Sequence, residues 1–416
     1  MRILMVTPFL PSPTGSNAGE LVMYRQLEQL AVRHEITLAT LCSSIEDAWE
    51  DIANLRQLGI DVRAVERRAP VGFERWQRRP GLAMRWLRGD TPLPVIEFTL
   101  PAMQETINRI VTEKRPELIQ VEYVWMAGYR YPPGIATVLT EHEVGLVRAR
   151  DDLQAAAGGP RLKRLYASAE WRRWQRYEPS ACRGFTRVQV FTAHDANTLL
   201  HHAPDLEPTL RVNPFGVDPP TIADSAVEDE RAVVFVGGFA HLPNVDAALW
   251  LAREIMPLLW PDVPHAHLWL VGSNPPEELL ALSGEQITVT GRVPEIEPYL
   301  QRAAVVLAPL RQGGGMRLKV LQAMSEGKAV VTTPLGAEGI AEDSSSPLLI
   351  ASSAEDLARR TGELLKNQAL RAELGARARE FALTRYSWEA YLRRLEVIYE
   401  EAITAHHARP VAPSRP

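Results

Sequence analysis

Cysteine is nearly missing from this sequence: Cys42 and Cys182 are the only two, far apart and in no CxxC spacing. That excludes a disulfide framework and a thiolate metal site, and both read as small buried apolar residues. No apolar run approaches the roughly 20 residues needed to cross a bilayer. The opening run Met1–Thr7 breaks at Pro8, too short for a leader peptide and without a small-residue cleavage site, so the chain is expected in the cytoplasm. An excess of positive charge is lacking too. With 46 Lys and Arg against 51 Asp and Glu, the formal charge of -5 excludes a wholly basic nucleic-acid binder. No DxD-type acidic pair demands a metal. What remains is 416 residues, 46% hydrophobic and 23% charged, the profile of a globular protein large enough for two domains.

The first forty residues read as strand, loop, helix and strand. Ile3–Val6 is a continuous apolar run, as in a strand buried on both faces, and a Pro/Gly/Ser loop follows from Pro8 to Gly19. Leu21, Tyr24, Leu27 and Leu30 then recur at helical spacing before a strand at Ile36–Leu41. This is a βαβ opening, which implies an open parallel sheet. Leu118–Glu122, Thr137–Glu141 and Arg187–Phe191 are further strands. After residue 220 the pattern restarts, with strands at Ala232–Val236, His267–Val271, Ile287–Thr290, Ala304–Ala308 and Ala329–Thr332, each stopping at or near Gly or Pro. The fold class is therefore α/β, two Rossmann-like doubly wound domains facing across a cleft, with ligand loops at the carboxyl ends of the strands. The boundary falls near Phe215–Pro220. A terminal helix begins after Ser387, with Tyr391, Leu392, Leu395, Ile398 and Tyr399 on one face. The expected division is 1–217, 218–385, a helix over 386–405, and a disordered tail at 406–416.

The most informative segment runs from Pro309 to Val331. Gly313, Gly314 and Gly315 sit between a strand and a helix expected to start about Met316. Glycine lets a backbone approach a ligand closely, and the free N–H groups of a helix start favour phosphate. Arg317 and Lys319 fall in the first turn, where the helix dipole disfavours cations unless an anion joins them. Leu318, Leu321 and Met324 would face the core, with Gly315, Lys319, Gln322 and Glu326 along another side. This pattern is a candidate diphosphate cradle.

This segment, with Thr332–Ile340 after it, resembles the donor-binding signature of family 4 glycosyltransferases, in the branch with a GGGxRLK donor loop. Asn213-Pro-Phe-Gly-Val-Asp218 resembles the interdomain turn of that family. Val236-Gly237-Gly238 and Leu270-Val-Gly272-Ser resemble its first two donor-domain strand ends. Thr290-Gly-Arg292-Val293 looks like the loop against the nucleobase, and Tyr386-Ser-Trp-Glu like the start of a helix that crosses back to the first domain. The resemblance implies the GT-B fold and transfer of a sugar, with retained configuration, from a UDP- or GDP-type nucleotide-sugar to a glycan or lipid-linked acceptor. Surface polysaccharide or glycolipid assembly would be the setting. The nucleotide-sugar is substrate, and no cofactor or metal is required. Front-face departure of the nucleotide diphosphate would be assisted by helix N–H groups, Arg317 and Lys319.

The segment also departs from the family. Two glutamates that common members carry are replaced by Gly314 and Gln322, and a usual Arg and Lys by Gly238 and Pro243. Arg317 and Lys319 are expected to supply the missing positive charge, while Gln322 still offers hydrogen bonds to a ribose. Glu338 is a candidate for hydroxyl contacts to the donor. In the first domain the resemblance places Gly15 and Gly19 in the loop that meets donor phosphate and acceptor, and His142, in Thr140-Glu-His-Glu143, beside the reacting sugar. Two stretches are basic: residues 63–88 hold eight arginines against Glu66 and Glu74, with Trp76 and Trp86. Residues 161–187 hold eight Lys and Arg against Glu170 and Glu178, with Trp171 and Trp174. Such interleaving suits peripheral contact with an anionic membrane, a solvated helix face, or a groove for a polyanionic saccharide. Two other functions fit the same fold: a nucleotide-sugar epimerase, and a non-catalytic subunit that binds a nucleotide or a partner.

Overall fold

The computed structural model describes residues 1–13, 15, 18–67, 73–219, 228–313, 317–341 and 345–408, without the side chains of residues 18 and 73–80. The chain divides into two units, Met1–Asn213 with Leu392–Pro416, and Pro214–Tyr391.

In the first unit, seven strands form one sheet: β1 (Arg2–Thr7), β2 (Glu35–Cys42), β3 (Asp61–Glu66), β4 (Leu118–Glu122), β5 (Ala136–Glu141), β6 (Arg187–Val190) and β7 (Leu210–Val212). Their order is β3-β2-β1-β4-β5-β6-β7, every pairing parallel. The middle strands are apolar runs because helices cover both faces; β4 and β5 are buried at every residue. The edge strand β3 is different. Its sequence DVRAVE buries only Val62, and so carries no apolar run by which to be found.

The second unit repeats the plan with β8 (Asp229–Val236), β9 (His267–Val271), β10 (Ile287–Val289), β11 (Ala303–Ala308), β12 (Ala329–Thr332) and β13 (Leu349–Ile350). Their order is β10-β9-β8-β11-β12-β13, again parallel throughout. In both sheets the strand order reverses beside the first strand, between β1 and β4 and between β8 and β11. Loops leaving the two strands at such a point splay apart and open a crevice at their carboxyl ends. Each unit has its own apolar core, Leu4, Val121 and Leu139 in one and Phe235, Leu270 and Leu307 in the other.

The helix Trp388–Ala408 counts with the first unit from Leu392 onward. Leu392, Leu395, Ile398, Tyr399 and Ala402 form its buried stripe. Ion pairs flank the stripe: Glu396 with Arg33 at 3.1 Å, and Glu401 with Arg187 and Arg211 at 3.0 and 2.7 Å. The helix runs on through Ala408, past the expected start of the tail at His406; residues 409–416 lie outside the described ones. Two other expected limits shift. The first helix is Ala18–Ala31, which takes Gly19 out of the loop and into a helical turn. The helix expected from Met316 starts at Leu318, with Arg317 at its N-cap.

Candidate functional site

In the first unit the chemistry gathers at the carboxyl ends of β1, β4 and β5. His142 follows β5, and its Nε2 pairs with the Glu122 carboxylate at the end of β4 at 2.6 Å. Glu122 is fully buried. Its other oxygen, Oε1, accepts from Gln120 Nε2 at 2.6 Å and Gln26 Nε2 at 3.3 Å. Gln120 in turn accepts from the Tyr399 hydroxyl on the C-terminal helix. The imidazole is clamped as well as bonded. Tyr123 stacks on it at 4.1 Å and 7°, and Phe191 meets it edge-on. Tyr123 holds φ at 67°, a value that bulky side chains rarely adopt, and the backbone there is strained to bring the ring over His142. Just beyond His142, Glu178 accepts the N–H groups of Gly145 and Leu146 at 2.6 and 2.8 Å, pinning the start of the next helix.

Beside these groups an open pocket of about 470 Å³ lies over the ends of β1 and β2, lined by Phe9, Ser12, Gly15, Glu20, Asp51 and Arg67 among others. Gly15 sits in a turn closed by its N–H to Ser12 O, and a Cβ there would fall 2.5 Å from the Glu20 side chain. Gly15 therefore lines the pocket, while Gly19, within the helix, does not appear in its wall.

In the second unit, Gly237 and Gly238 follow β8, Gly272 follows β9, Gly291 and Arg292 follow β10, and Gly313 follows β11. All stand on one rim of the sheet. The tightest approach is between neighbours: a Cβ on Gly272 would lie 1.9 Å from the Gly237 carbonyl oxygen. Gly272→Ala is therefore expected to destabilise this unit by about 3 kcal/mol or more, read as a lower urea midpoint, because backbone must move to admit a methyl group.

Two cations organise the loops after β11 and β12. Arg317 is buried; its Nε donates to Leu335 O at 3.2 Å and its Nη2 to Gly313 O at 2.8 Å. Nη2 also meets Glu338 at 3.3 Å. The guanidinium thus fastens two loops, and Glu338 is the carboxylate that accompanies it. Lys319 lies on the face that also carries Gln322 and Glu326, all three half-buried. Its Nζ donates to Asn244 Oδ1 and sits 4.9 Å from the centre of the Phe235 ring. Asn244 Nδ2 donates to Gly238 O at 2.8 Å, so one amide ties the loop after β8 to the lysine beyond β11, across the reversal of strand order. Burial and the neighbouring Arg317 push the Lys319 ammonium down to about 7. The buried side of this helix is Val320, Leu321, Ala323, Met324 and Ser325; Leu318, expected there, is only half-buried because the helix starts late.

Of the residues expected from sequence, the structure brings Gly237, Gly238, Gly272, Gly313, Arg317 and Glu338 onto neighbouring loops, with Lys319 and Gln322 on the helix Leu318–Ser325 that follows Arg317. Arg292 is exposed and Val293 half-buried at the end of β10, two strands from β8. Gly314, Gly315 and Met316 lie outside the described residues. His142 and Gly15 belong to the first unit. Two residues escaped sequence reasoning. Glu122 ended a strand that was legible, and a carboxylate at the carboxyl end of a parallel strand is a signal that could have found it. Asn244 had none, since its partners are set by tertiary structure.

Comparison with known proteins places this geometry. Residues 230–367 match the family model for Glycosyl transferases group 1. An uncharacterized glycosyltransferase of Methanocaldococcus jannaschii is 31% identical over 94 residues, 22% of this chain; the match spans 24% of that relative's length. Among solved structures, sucrose-phosphate synthase of Thermosynechococcus elongatus aligns over 97% of this chain and 100% of its own, at 16% identity and a TM-score of 0.68. The Anabaena protein HepE, solved in complex with UDP, aligns over 96% of this chain and 100% of its own, at 13% identity and a TM-score of 0.63. The chain thus has the GT-B fold, and over residues 230–367 it matches Glycosyl transferases group 1.

Proposed function

We propose that this protein transfers a glycosyl group from a nucleotide-sugar, UDP- or GDP-linked, to a hydroxyl of a glycan or lipid-linked acceptor, with retention of configuration. The observation that carries the reading is the group 1 domain's rim at β8 and β11, where glycine loops meet the Lys319 ammonium held by Asn244. Glycines that admit a close backbone approach and a partly desolvated cation suit a diphosphate. Lys319 is the group that meets the departing phosphates. Arg317 shapes the two loops, with Glu338 balancing its charge, and Gln322 serves the ribose. Arg292 and Val293 flank the base. In the first unit, His142 hydrogen-bonds a substrate hydroxyl near the reacting carbon, and the pocket over β1 and β2 takes acceptor hydroxyls. HepE, of the same fold, is known with UDP, which supports a nucleotide donor here. Assembly of surface polysaccharide or glycolipid is the setting proposed.

Thermal unfolding with UDP-, GDP-, ADP- and TDP-sugars, each beside its free nucleotide, tests the reading. A ligand at about 100 times its dissociation constant adds roughly 2.7 kcal/mol, an easily measured shift. One base should stand out. No shift with any of them would turn the argument towards a non-catalytic role.

A further inference from the structure

Thirteen large apolar side chains stand exposed among the described residues, and five of them gather on two neighbouring helix ends: Met84 and Leu87 of the helix Phe73–Arg88, and Leu162, Leu165 and Tyr166 of the helix Arg161–Arg183. The spacing is three residues in the first pair and three and four from Leu162 in the second set, so each group shares one helix face. Leu87 is 69% exposed and Leu162 81%. The two helices are fastened to each other. Trp86 Nε1 donates to Glu170, Arg173 lies 4.0 Å over the Trp86 ring and donates to Trp86 O at 2.9 Å, and Trp86 meets Tyr166 at 5.5 Å.

This arrangement changes what the basic stretches can do. Two of their tryptophans are structural: Trp86 ties the helices together, and Trp174 is buried against Gly145. Trp76 lies outside the described side chains. What stands outward is leucine, methionine and tyrosine, ringed by exposed Arg85, Arg88, Arg161, Lys163, Arg164 and Arg172. Arg176 is exposed too, but is paired with Asp90 at 3.3 Å. Among the described side chains, Asp90 lies at this face and Glu97 and Asp152 lie near Tyr166; Glu170 is buried. Three cations fall in the first turn of the helix Arg161–Arg183, which has no acid there, against the direction its dipole favours. Apolar side chains standing free inside a cationic ring match a surface that offers both hydrocarbon and phosphate.

We infer that this face docks on an anionic bilayer, with Leu87, Leu162 and Leu165 entering the headgroup boundary and Arg161, Lys163 and Arg164 meeting lipid phosphates. The inference stands apart from the transferase reading, since no residue in it belongs to the candidate site. Apolar insertion and charge attraction contribute separately to such binding, and salt weakens only the second.

Flotation of the full chain with phosphatidylcholine vesicles, and with vesicles in which about one lipid in three is phosphatidylglycerol, tests it. The wild type should float with the anionic vesicles at low salt and stay behind with the neutral ones. Leu87→Ser/Leu162→Ser/Leu165→Ser should weaken anionic binding by about tenfold or more and at every salt concentration. Arg161→Gln/Arg164→Gln should weaken it chiefly at low salt. Both variants should keep the unfolding temperature of the wild type, which separates loss of docking from loss of fold. Wild-type protein that fails to float at low salt overturns the inference, as does a triple serine variant that floats unchanged. A wild-type dimer that the serine variant turns into a monomer also overturns it, because the face would then be covered by a second copy.

Discussion

Lys319→Met is expected to weaken nucleotide-sugar binding by about 10- to 100-fold while leaving the protein at least as stable near pH 6. The affinity loss follows from the worth of a hydrogen bond to a charged group, about 1.5 to 3 kcal/mol, when a phosphate loses its ammonium partner. The stability follows from linkage. In the folded protein the ammonium is depressed to about 7 by burial and Arg317, whereas an unfolded lysine titrates near 10.4. Below about pH 7 the folded chain holds an unfavourable, partly desolvated charge. Between about 7 and 10 the unfolded chain binds the extra proton, so stability rises with pH across that window. Methionine removes the charge and keeps most of the volume.

The same depression sets the pH dependence of binding. Above about pH 7 the empty site holds a neutral amine, and a diphosphate beside it restores the proton. Binding then takes up one proton, and affinity should fall by up to about tenfold per pH unit as pH rises above 7, flattening below. Lys319→Met should abolish that slope. Isothermal titration in two buffers of different ionisation enthalpy measures the proton directly. Wild-type binding without proton uptake at pH 8 would sink this account of Lys319, whatever the variant's affinity.

The contrast between Lys319 and its support shows what a sequence can carry. The glycines, Arg317 and Lys319 lie within seven residues, and the local spacing alone suggested a phosphate cradle. Strands buried on both faces were equally legible: Leu118–Glu122, His267–Val271 and Ala329–Thr332 emerge with the bounds expected of them. The edge strand Asp61–Glu66 was not, because half its residues are charged and solvent suffices for one side. Asn244 reaches Lys319 across 75 residues and Tyr399 reaches Gln120 across 279, pairings that no local pattern encodes. Trp86 and Trp174 misled for a related reason. A Trp–Arg alternation reads the same whether the indole faces lipid or, as Trp86 and Trp174 do, a neighbouring helix. Burial is decided by partners, and partners come from the whole fold.

Glu122→Gln should lower kcat by about 10- to 100-fold with little change in donor affinity, and should invert the tautomer of His142. Glu122 Oε1 accepts from both Gln120 and Gln26, and Oε2 accepts from His142 Nε2–H. In the neutral imidazole, that arrangement puts the proton on Nε2 and leaves Nδ1 as an acceptor for a substrate hydroxyl. A glutamine at 122 has one oxygen and one NH₂. Two amide donors already point at the Oε1 position, so the oxygen must stay there and the NH₂ must face His142. The imidazole then has to accept at Nε2 and carry its proton on Nδ1, where it would repel the hydroxyl proton that it formerly received. Because both glutamine donors remain satisfied, the variant should fold normally, unlike a leucine substitution that would leave them buried without partners. Nitrogen chemical shifts of the His142 ring report the tautomer independently of turnover. His142→Ala should match or exceed the loss in kcat, and the double variant should be no worse than His142→Ala alone, since Glu122 acts through the imidazole. Inverted ring nitrogens with unchanged kcat would remove His142 from the chemistry; unchanged nitrogens with reduced kcat would mean that Glu122 acts by another route.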